Sequence, residues 1–441
     1  MENNRKRKKH VFVVGADDYN MELIRRSRGA DRWELKSALS WEDVQPPTGR
    51  IEFIDLYRKA KRIIDSNPEP PDAIIGYLDF PVTSLVSLLN QKYKLKGATP
   101  EAVARCEHKY WMRLCQSRVM PDETPQFAAV NPFSPEDAIE VVPDFPFWIK
   151  PVKGHSSVLG YLVRDKSDLE TALRACRQKI HYFGEPFNEF LDRVEDISEI
   201  DGIDGNFVLA ESLISAPRQF TLEGFVYRGD VSVYGAVDSR RGGIYSSSFS
   251  RYQYPAQLPD RLVKRATGLA GKLLKVMEYD NAPFNVEFFW DPGTGDLHLL
   301  EINPRISKSH APMFLMVDGA SHHKVAIDLA LGKKPSMPRR KGEDALASKF
   351  MLRSFEADGI VRRVPSQQEM KELSRILPTM EANILVDANT RLSSLFYQDS
   401  YSYELAEVFL GGRDEEMIED AYNRCCDSLE FHIQPMPQNH Q

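Results

Sequence analysis

Two stretches near the middle of the chain, residues 284–290 and 297–303, flank the loop Asp291-Pro-Gly-Thr-Gly-Asp296. Their apolar and polar residues alternate, so they read as the strands of an antiparallel hairpin. If Trp290 pairs with His298, Glu287 falls directly opposite Glu301, and two-residue alternation puts Asn303 on the same face. Carboxylates facing each other across strands repel and weaken the hairpin. A bound cation removes that conflict. Two acids and an amide carbonyl are all oxygen donors, which suits Mg²⁺ at roughly 2.0–2.1 Å with phosphate oxygens and waters completing the octahedron. A solvated hairpin face whose acids share no partner has the same pattern, and the pattern alone does not choose. Arg305 follows Asn303 by two residues. A guanidinium there could clamp a transferring phosphoryl group or a carboxylate bidentately, although a lone surface arginine reads the same way.

A second stretch that could do chemistry is Ile149-Lys-Pro-Val-Lys-Gly-His-Ser-Ser-Val-Leu-Gly160. A lysine at a strand end beside a Gly/Ser loop meets phosphates with its charge and with backbone N–H groups. The pattern GxxxxGK[ST] occurs nowhere, so this is no Walker A loop, and on the pattern alone an ordinary flexible turn is the more common description. Residues 10–15 form a strand that runs into Gly15-Ala-Asp-Asp-Tyr-Asn20 and a helix. That βα start lacks the second and third glycines of a dinucleotide fingerprint.

The elements that must carry these residues follow from periodicity. Helix 51–64, strand 72–77 and helix 84–89 complete a small parallel α/β lobe over residues 10–98. Thr99 as N-cap and Pro100 at the first helical position open a helical stretch that carries Lys109 through Arg118. Pro121, Pro125, Pro132 and Pro135 punctuate a linker. Strands at 147–151 and 161–164 follow. Ser167-x-x-Glu170 reads as a capping box for a helix with Leu169, Leu173, Cys176 and Ile180 inside. Residues 185–205 read as an acidic, exposed insertion. A strand at 207–213 and a hairpin of 220–228 with 231–237 about Gly229-Asp230 come next. Residues 240–254, rich in Ser and Tyr, read as a loop. Leu262, Ala266, Leu269, Leu273 and Met277 mark an amphipathic helix, and helix 323–331 stops at Gly332. The last hundred residues read as an α+β lobe with a capping box at Ser366-x-x-Glu369 and a closing helix, 414–429.

Composition narrows the function classes. At 441 residues, a prior of roughly 150 per domain suggests about three lobes. With 42% hydrophobic and 27% charged residues the chain is globular rather than disordered. Lys and Arg total 57 against 64 Asp and Glu, a net charge of −7, which argues against a nucleic-acid partner. The basic patch from Asn4 to His10 reads as a solvated terminus, or as a nucleic-acid or targeting tail. No apolar run reaches membrane-spanning length, and the apolar stretch after the basic start is too short for a secretion signal. Five cysteines without metal or disulfide spacing fit a reducing cytoplasm.

The run Asn285-Val-Glu-Phe-Phe, followed by Leu-Leu-Glu-Ile-Asn-Pro-Arg305, resembles the metal-binding hairpin of the ATP-grasp superfamily. It is closest to the carbamoyl phosphate synthetase and biotin carboxylase branch and its amino-acid ligase relatives. The likeness spans about residues 10–335. It implies a three-lobed architecture, α/β and α+β: an N-terminal parallel lobe (1–98), a two-part ATP-grasp core (99–335) and a C-terminal α+β lobe (336–441). It further implies ATP bound by Lys109, Lys150, Lys153, Ser156, Ser157, Glu211, Leu213 and Gln219. Gln219 stands where the family usually has a glutamate on the ribose. Mg²⁺, or Mn²⁺, would sit on Glu287, Glu301 and Asn303, and Arg305 would act in catalysis. His155, Arg251 and His310 are candidates for the substrate site. The implied activity is an ADP-forming carboxylate–amine ligase joining a small acid, such as an amino acid, to an amine through an acyl phosphate. No membrane partner is expected, and a homodimer is a family expectation. An acid–thiol ligase or carboxylase on the same scaffold and a silent ATP-binding module are the alternatives. Ile306-Ser-Lys-Ser-His310 lacks the acidic continuation of biotin carboxylases, which counts against carboxylation of biotin.

Overall fold

The unbroken apolar run Val11, Phe12, Val13 and Val14 is buried on both faces, the signature of a strand inside a covered parallel sheet. In a computed structural model of the protein, strand Lys9–Ala16 is the middle of a three-stranded sheet, flanked by Trp33–Ser40 and Ala73–Gly76, both parallel to it. The structure describes residues 7–27, 29–46, 48–154, 158–214, 216–242, 248–355, 358–395, 398 and 401–436. Strand Trp33–Ser40 escapes the sequence reading because Glu34, Lys36 and Ser37 interrupt its hydrophobic pattern. Helix Phe53–Asp65 packs Phe53, Leu56, Ala60 and Ile64 inward at helical spacing. Thr99 caps helix Pro100–Glu107 by accepting from the Ala102 amide.

A second, four-stranded sheet runs Phe127–Val130, Val208–Ser212, Phe147–Pro151, Tyr161–Val163. Helix Lys166–Lys179 covers it with Leu169, Ala172, Leu173 and Cys176. Its cap is Asp165, which accepts from the Asp168 amide, so the expected Ser167–Glu170 capping box does not form. Residues 185–191 do not belong to an exposed insertion either. Helix His181–Leu191 buries Phe183, Phe187, Phe190 and Leu191, a one-sided stripe that overrides the acidic composition of the segment.

The largest sheet has eight antiparallel strands, in the order Leu297–Asn303, Ala282–Trp290, Arg218–Tyr227, Asp230–Gly242, Ser248–Tyr254, Leu346–Ser354, Tyr403–Gly412, Glu381–Ile384. It runs unbroken across residue 335. The turn between its third and fourth strands is Arg228-Gly229, one residue earlier than expected. Both turn residues have positive φ, 54° and 82°, as a type I′ hairpin requires. Within the segment read as a loop, residues 240–242 and 248–254 are strand: Asp230–Gly242 and Ser248–Tyr254 pair within the sheet. Their polar side chains misled the sequence reading because one face of these strands lines a polar cleft rather than a core. Helix Asp260–Val276 buries Leu262, Ala266, Leu269 and Leu273 against the sheet. The capping box at Ser366 and Glu369 forms as expected, and helix Glu415–Ser428 is capped by Asp414. Among the described residues, no helix is long and apolar enough to cross a membrane.

Candidate active site

A cleft of 1520 Å³ opens between the four-stranded sheet, the eight-stranded sheet and the N-terminal lobe. Its floor is the hairpin Ala282–Trp290/Leu297–Asn303. Glu287 lies opposite Glu301, and Asn285 opposite Asn303. The expected register holds there but fails near the turn, where Trp290 pairs with Leu297 and Phe289 with His298. Leu300 is an extra residue between Leu299 and Glu301. This bulge returns the glutamates to opposition and turns them into the cleft.

Buried Arg113 supports the bulge. Its guanidinium donates to the Leu299 carbonyl at 3.1 Å and the Leu300 carbonyl at 2.9 Å. It also binds Glu211, Nε to Oε2 at 3.0 Å, and the other Glu211 oxygen meets Lys150 Nζ at 2.5 Å. Burial alone would raise the Glu211 carboxyl, but Arg113 and Lys150 outweigh it and hold it at about 2. Burial pulls the Lys150 ammonium below its ordinary value, offset only in part by Glu211. Arg113 lies four residues beyond Lys109 on one face of helix Lys109–Val119, a spacing that could have revealed it.

Lys109 reaches Glu301 at 3.3 Å and the Gly154 carbonyl at 3.0 Å. Desolvation and the charge of Glu301 push Glu287 up to about 7. Burial acts on Glu301 in the same direction, but Lys109 and Lys150 pull it below its ordinary value. One carboxylate of the pair thus lacks a neutralising partner, and a divalent cation fits the gap. Asn303 donates through Nδ2 to Asn285 Oδ1 at 3.0 Å, which fixes its amide and leaves its own Oδ1 as an acceptor. Among the described residues, no group of three or more His, Cys, Asp and Glu could hold a metal alone. Two glutamates and Asn303 therefore leave several positions to phosphate and water.

The other expected residues divide. Lys109, Lys150, Lys153, Glu211, Leu213, Gln219, Arg305 and His310 all line the cleft with the hairpin residues. Lys153, nearly fully buried, is turned into the wall, where its ammonium pairs with Glu107 beside the Phe80 and Phe187 rings. Gln219 links Arg241 to Glu287, accepting at 2.5 Å and donating at 2.7 Å. Arg305 makes a bidentate pair with Asp79 at 2.6 and 2.9 Å, which ties the hairpin to the N-terminal lobe. His310 meets buried Glu223 at 2.8 Å, and Glu223 also accepts from Asn285. Arg251 is a correction. It does not line the cleft but binds Glu419 at 3.0 Å and Glu415 at 3.3 Å on helix Glu415–Ser428. His155, Ser156 and Ser157 lie outside the described residues. Sequence reasoning missed Asp79, Arg113 and Arg241, and also the cleft residues Lys308, Lys349, Arg353, Glu404 and Glu407, which lie on elements without a motif.

Residues 254–337, which include the hairpin, match the family described as carbamoyl-phosphate synthase L chain, ATP binding domain. No curated protein matches the chain. Solved structures do. The L-amino acid ligase from Bacillus licheniformis is 14% identical, with a TM-score of 0.69 over 98% of this chain and 100% of that one. Phosphoribosylglycinamide synthetase from Anaerococcus prevotii is 14% identical, with a TM-score of 0.61 over 97% and 100%. Biotin carboxylase from Campylobacter jejuni is 14% identical, with a TM-score of 0.58 over 96% and 92%. Such likeness speaks to architecture, and together with the matched hairpin it identifies the fold of this chain as ATP-grasp.

Proposed function

We propose that the protein is an ATP-dependent, ADP-forming ligase that joins a small carboxylic acid to an amine through an acyl phosphate. The observation that carries this reading is the opposed pair Glu287 and Glu301 in a cleft whose rim holds Lys109 and Lys150. The likeness to an L-amino acid ligase and to phosphoribosylglycinamide synthetase points the same way. In this reading residues 1–98, 99–335 and 336–441 work as three lobes around the cleft. A cytoplasmic setting supplies the ATP, and the homodimer stays a family expectation.

Glu287, Glu301 and Asn303 would hold Mg²⁺, or Mn²⁺, which when bound neutralises phosphate charge and draws the transferring group into line. Lys109 and Lys150 face the phosphates as cations. An oxygen of the acid attacks the γ-phosphorus, the bond to the bridging oxygen breaks, and ADP leaves. Such transfer asks the protein mainly for position and charge. Arg305, oriented by Asp79, faces the acyl phosphate. The amine nitrogen then attacks the acyl carbon, the C–O bond breaks, phosphate leaves and the nitrogen loses a proton. Ser156 and Ser157, next to His155 in the chain, would exclude water during this interval. Lys153, anchored on Glu107, would fix the chain at the start of that segment, and Glu211, Leu213 and Gln219 would flank the nucleotide.

The test is ATP-dependent phosphate release across a panel of acid and amine pairs, with mass spectrometry of the product. Release that requires both an acid and an amine, with an amide product, is expected. Release driven by bicarbonate or a thiol instead would favour the carboxylase or acid–thiol reading, for which the likeness to biotin carboxylase speaks. Tight ATP binding without any turnover would leave a binding module.

A further inference from the structure

Farther along the large sheet, strands Leu346–Ser354 and Tyr403–Gly412 also bring charge into the cleft. Lys349, Met351 and Arg353 stand two residues apart and share a face. Opposite them lie Glu404 and Glu407, three residues apart, which a regular strand would send to opposite faces. The register explains the exception. Leu352 pairs with Ala406 but Arg353 pairs with Glu404, so Leu405 is an extra residue and the strand is bulged there. Both acids therefore line the cleft.

Their surroundings are partly satisfied. Arg353 Nη2 meets Glu404 Oε2 at 2.8 Å. Lys349 pairs with Glu407 and also donates to Ser309 Oγ at 3.1 Å. Two polar ends remain among the described residues. Glu404 Oε1 is buried with no hydrogen-bond donor. Lys308 Nζ sits 3.9 Å from the centre of the Trp41 ring, with no carboxylate at ion-pair distance. Burial pushes the Glu404 carboxyl up and the Lys308 ammonium down. Desolvated groups without a hydrogen-bond or ion-pair partner are costly, and a ligand that completes them recovers that cost. The apolar surface of Trp41, Met351 and Leu385 lines the same part of the cleft.

We infer that this part of the cleft is a subsite for an α-amino acid with an apolar side chain, its ammonium on Glu404 and its carboxylate toward Lys308. The inference rests on the ligase reading for its place in a reaction, though not for the binding itself. Lys308 follows Arg305 by three residues, so the carboxylate points to the phosphoryl-transfer end and the amino acid is the acid substrate. Held as an ammonium, its amine has no lone pair and does not compete as the nucleophile. The site thus selects a zwitterion over a plain carboxylic acid and keeps the two ends of the product distinct.

Isothermal titration of the full chain, with ADP and Mg²⁺ present, tests this with L-leucine against isocaproate and L-phenylalanine against phenylpropionate. The amino acids should bind at least about tenfold more tightly than their des-amino partners. Glu404→Gln, nearly isosteric, should erase that preference while leaving the affinity for the des-amino acids unchanged. Lys308→Met should weaken both members of each pair. Equal affinities, no amino-acid binding, or a preference that survives Glu404→Gln would overturn the inference. Preferential amino-acid binding without phosphate release from any acid and amine would uphold the subsite and sink the ligase reading. Amide formation from plain acids as readily as from amino acids would do the reverse.

Discussion

Two strand pairs of the large sheet each turn two glutamates into the same cleft, and each does so with one extra residue: Leu300 in the hairpin, Leu405 in the pair formed by Leu346–Ser354 and Tyr403–Gly412. The electrostatic outcomes differ. Glu287 and Glu301 face each other with one ammonium, Lys109, at 3.3 Å, and one of them is held above its ordinary range. Glu404 and Glu407 each have a cation of their own, Arg353 and Lys349. The same backbone device therefore yields a place short of positive charge and a place that is matched except for one carboxylate oxygen and the neighbouring Lys308 ammonium. The first suits a metal ion and the second suits a ligand carrying both signs.

The comparison breaks first at the support of the hairpin bulge. Arg113→Met leaves one oxygen of buried Glu211 without a donor and removes the donors from the Leu299 and Leu300 carbonyls, so unfolding should become about 3–5 kcal/mol easier. Denaturant unfolding with a loss well under that range would mean the bulge holds itself. Glu211 sharpens the same point through pH. Its carboxyl is held at about 2 against an ordinary 4.5, so its stabilisation is present above the unfolded value and lost as pH falls through 4.5 toward 2. About 3 kcal/mol is at stake, and Glu211→Gln should flatten the acid limb of the stability profile. If wild type and variant lose stability in parallel from pH 5 to pH 3, the pair with Arg113 and Lys150 is not what holds Glu211.

Glu301→Gln should slow ATP-dependent phosphate release at least about a hundredfold, ~2.7 kcal/mol of barrier. The variant should stay folded, because the relief of the repulsion with Glu287 offsets the loss of the pair with Lys109. Near-normal turnover would end the metal role and with it the contrast between the two acid pairs. Arg251→Met is the smallest change. Arg251 faces helix Glu415–Ser428 rather than the cleft, so the expected loss is about 1 kcal/mol of stability with the KM for the acid unaltered. A large KM effect would return Arg251 to the substrate site.

The hairpin was legible because loop, alternation and acid spacing all lie within about twenty consecutive residues. Even there, the register counted from the loop was off by one beside Trp290, and a bulge the count did not contain restored Glu287 to Glu301. The second acid pair was not legible. Residues three apart do not share a strand face until a bulge makes them, and no local signal marks Leu405. The strand residues 240–242 and 248–254 were hidden because a cleft-lining face is polar where a core-lining face is apolar. The amphipathic stripe of helix His181–Leu191 was present in the sequence at Phe183, Phe187 and Phe190, but the surrounding acids masked it. Lys153 and Gln219 line the cleft, yet their partners, Glu107 and Arg241, come from other elements and follow only from the tertiary arrangement.

The unbroken eight-stranded sheet sets a ruler. Hydrogen-bonded strands keep a spacing of about 4.8 Å, so the span from the Glu287 strand to the Glu404 strand is a count of strands and not a hinge angle. Lys150 and Glu211 belong to the separate four-stranded sheet. Any motion that opens or shuts the cleft therefore moves the lysine-bearing jaw against a fixed anvil, and the distance between the two acid pairs stays the same in every state of the cycle.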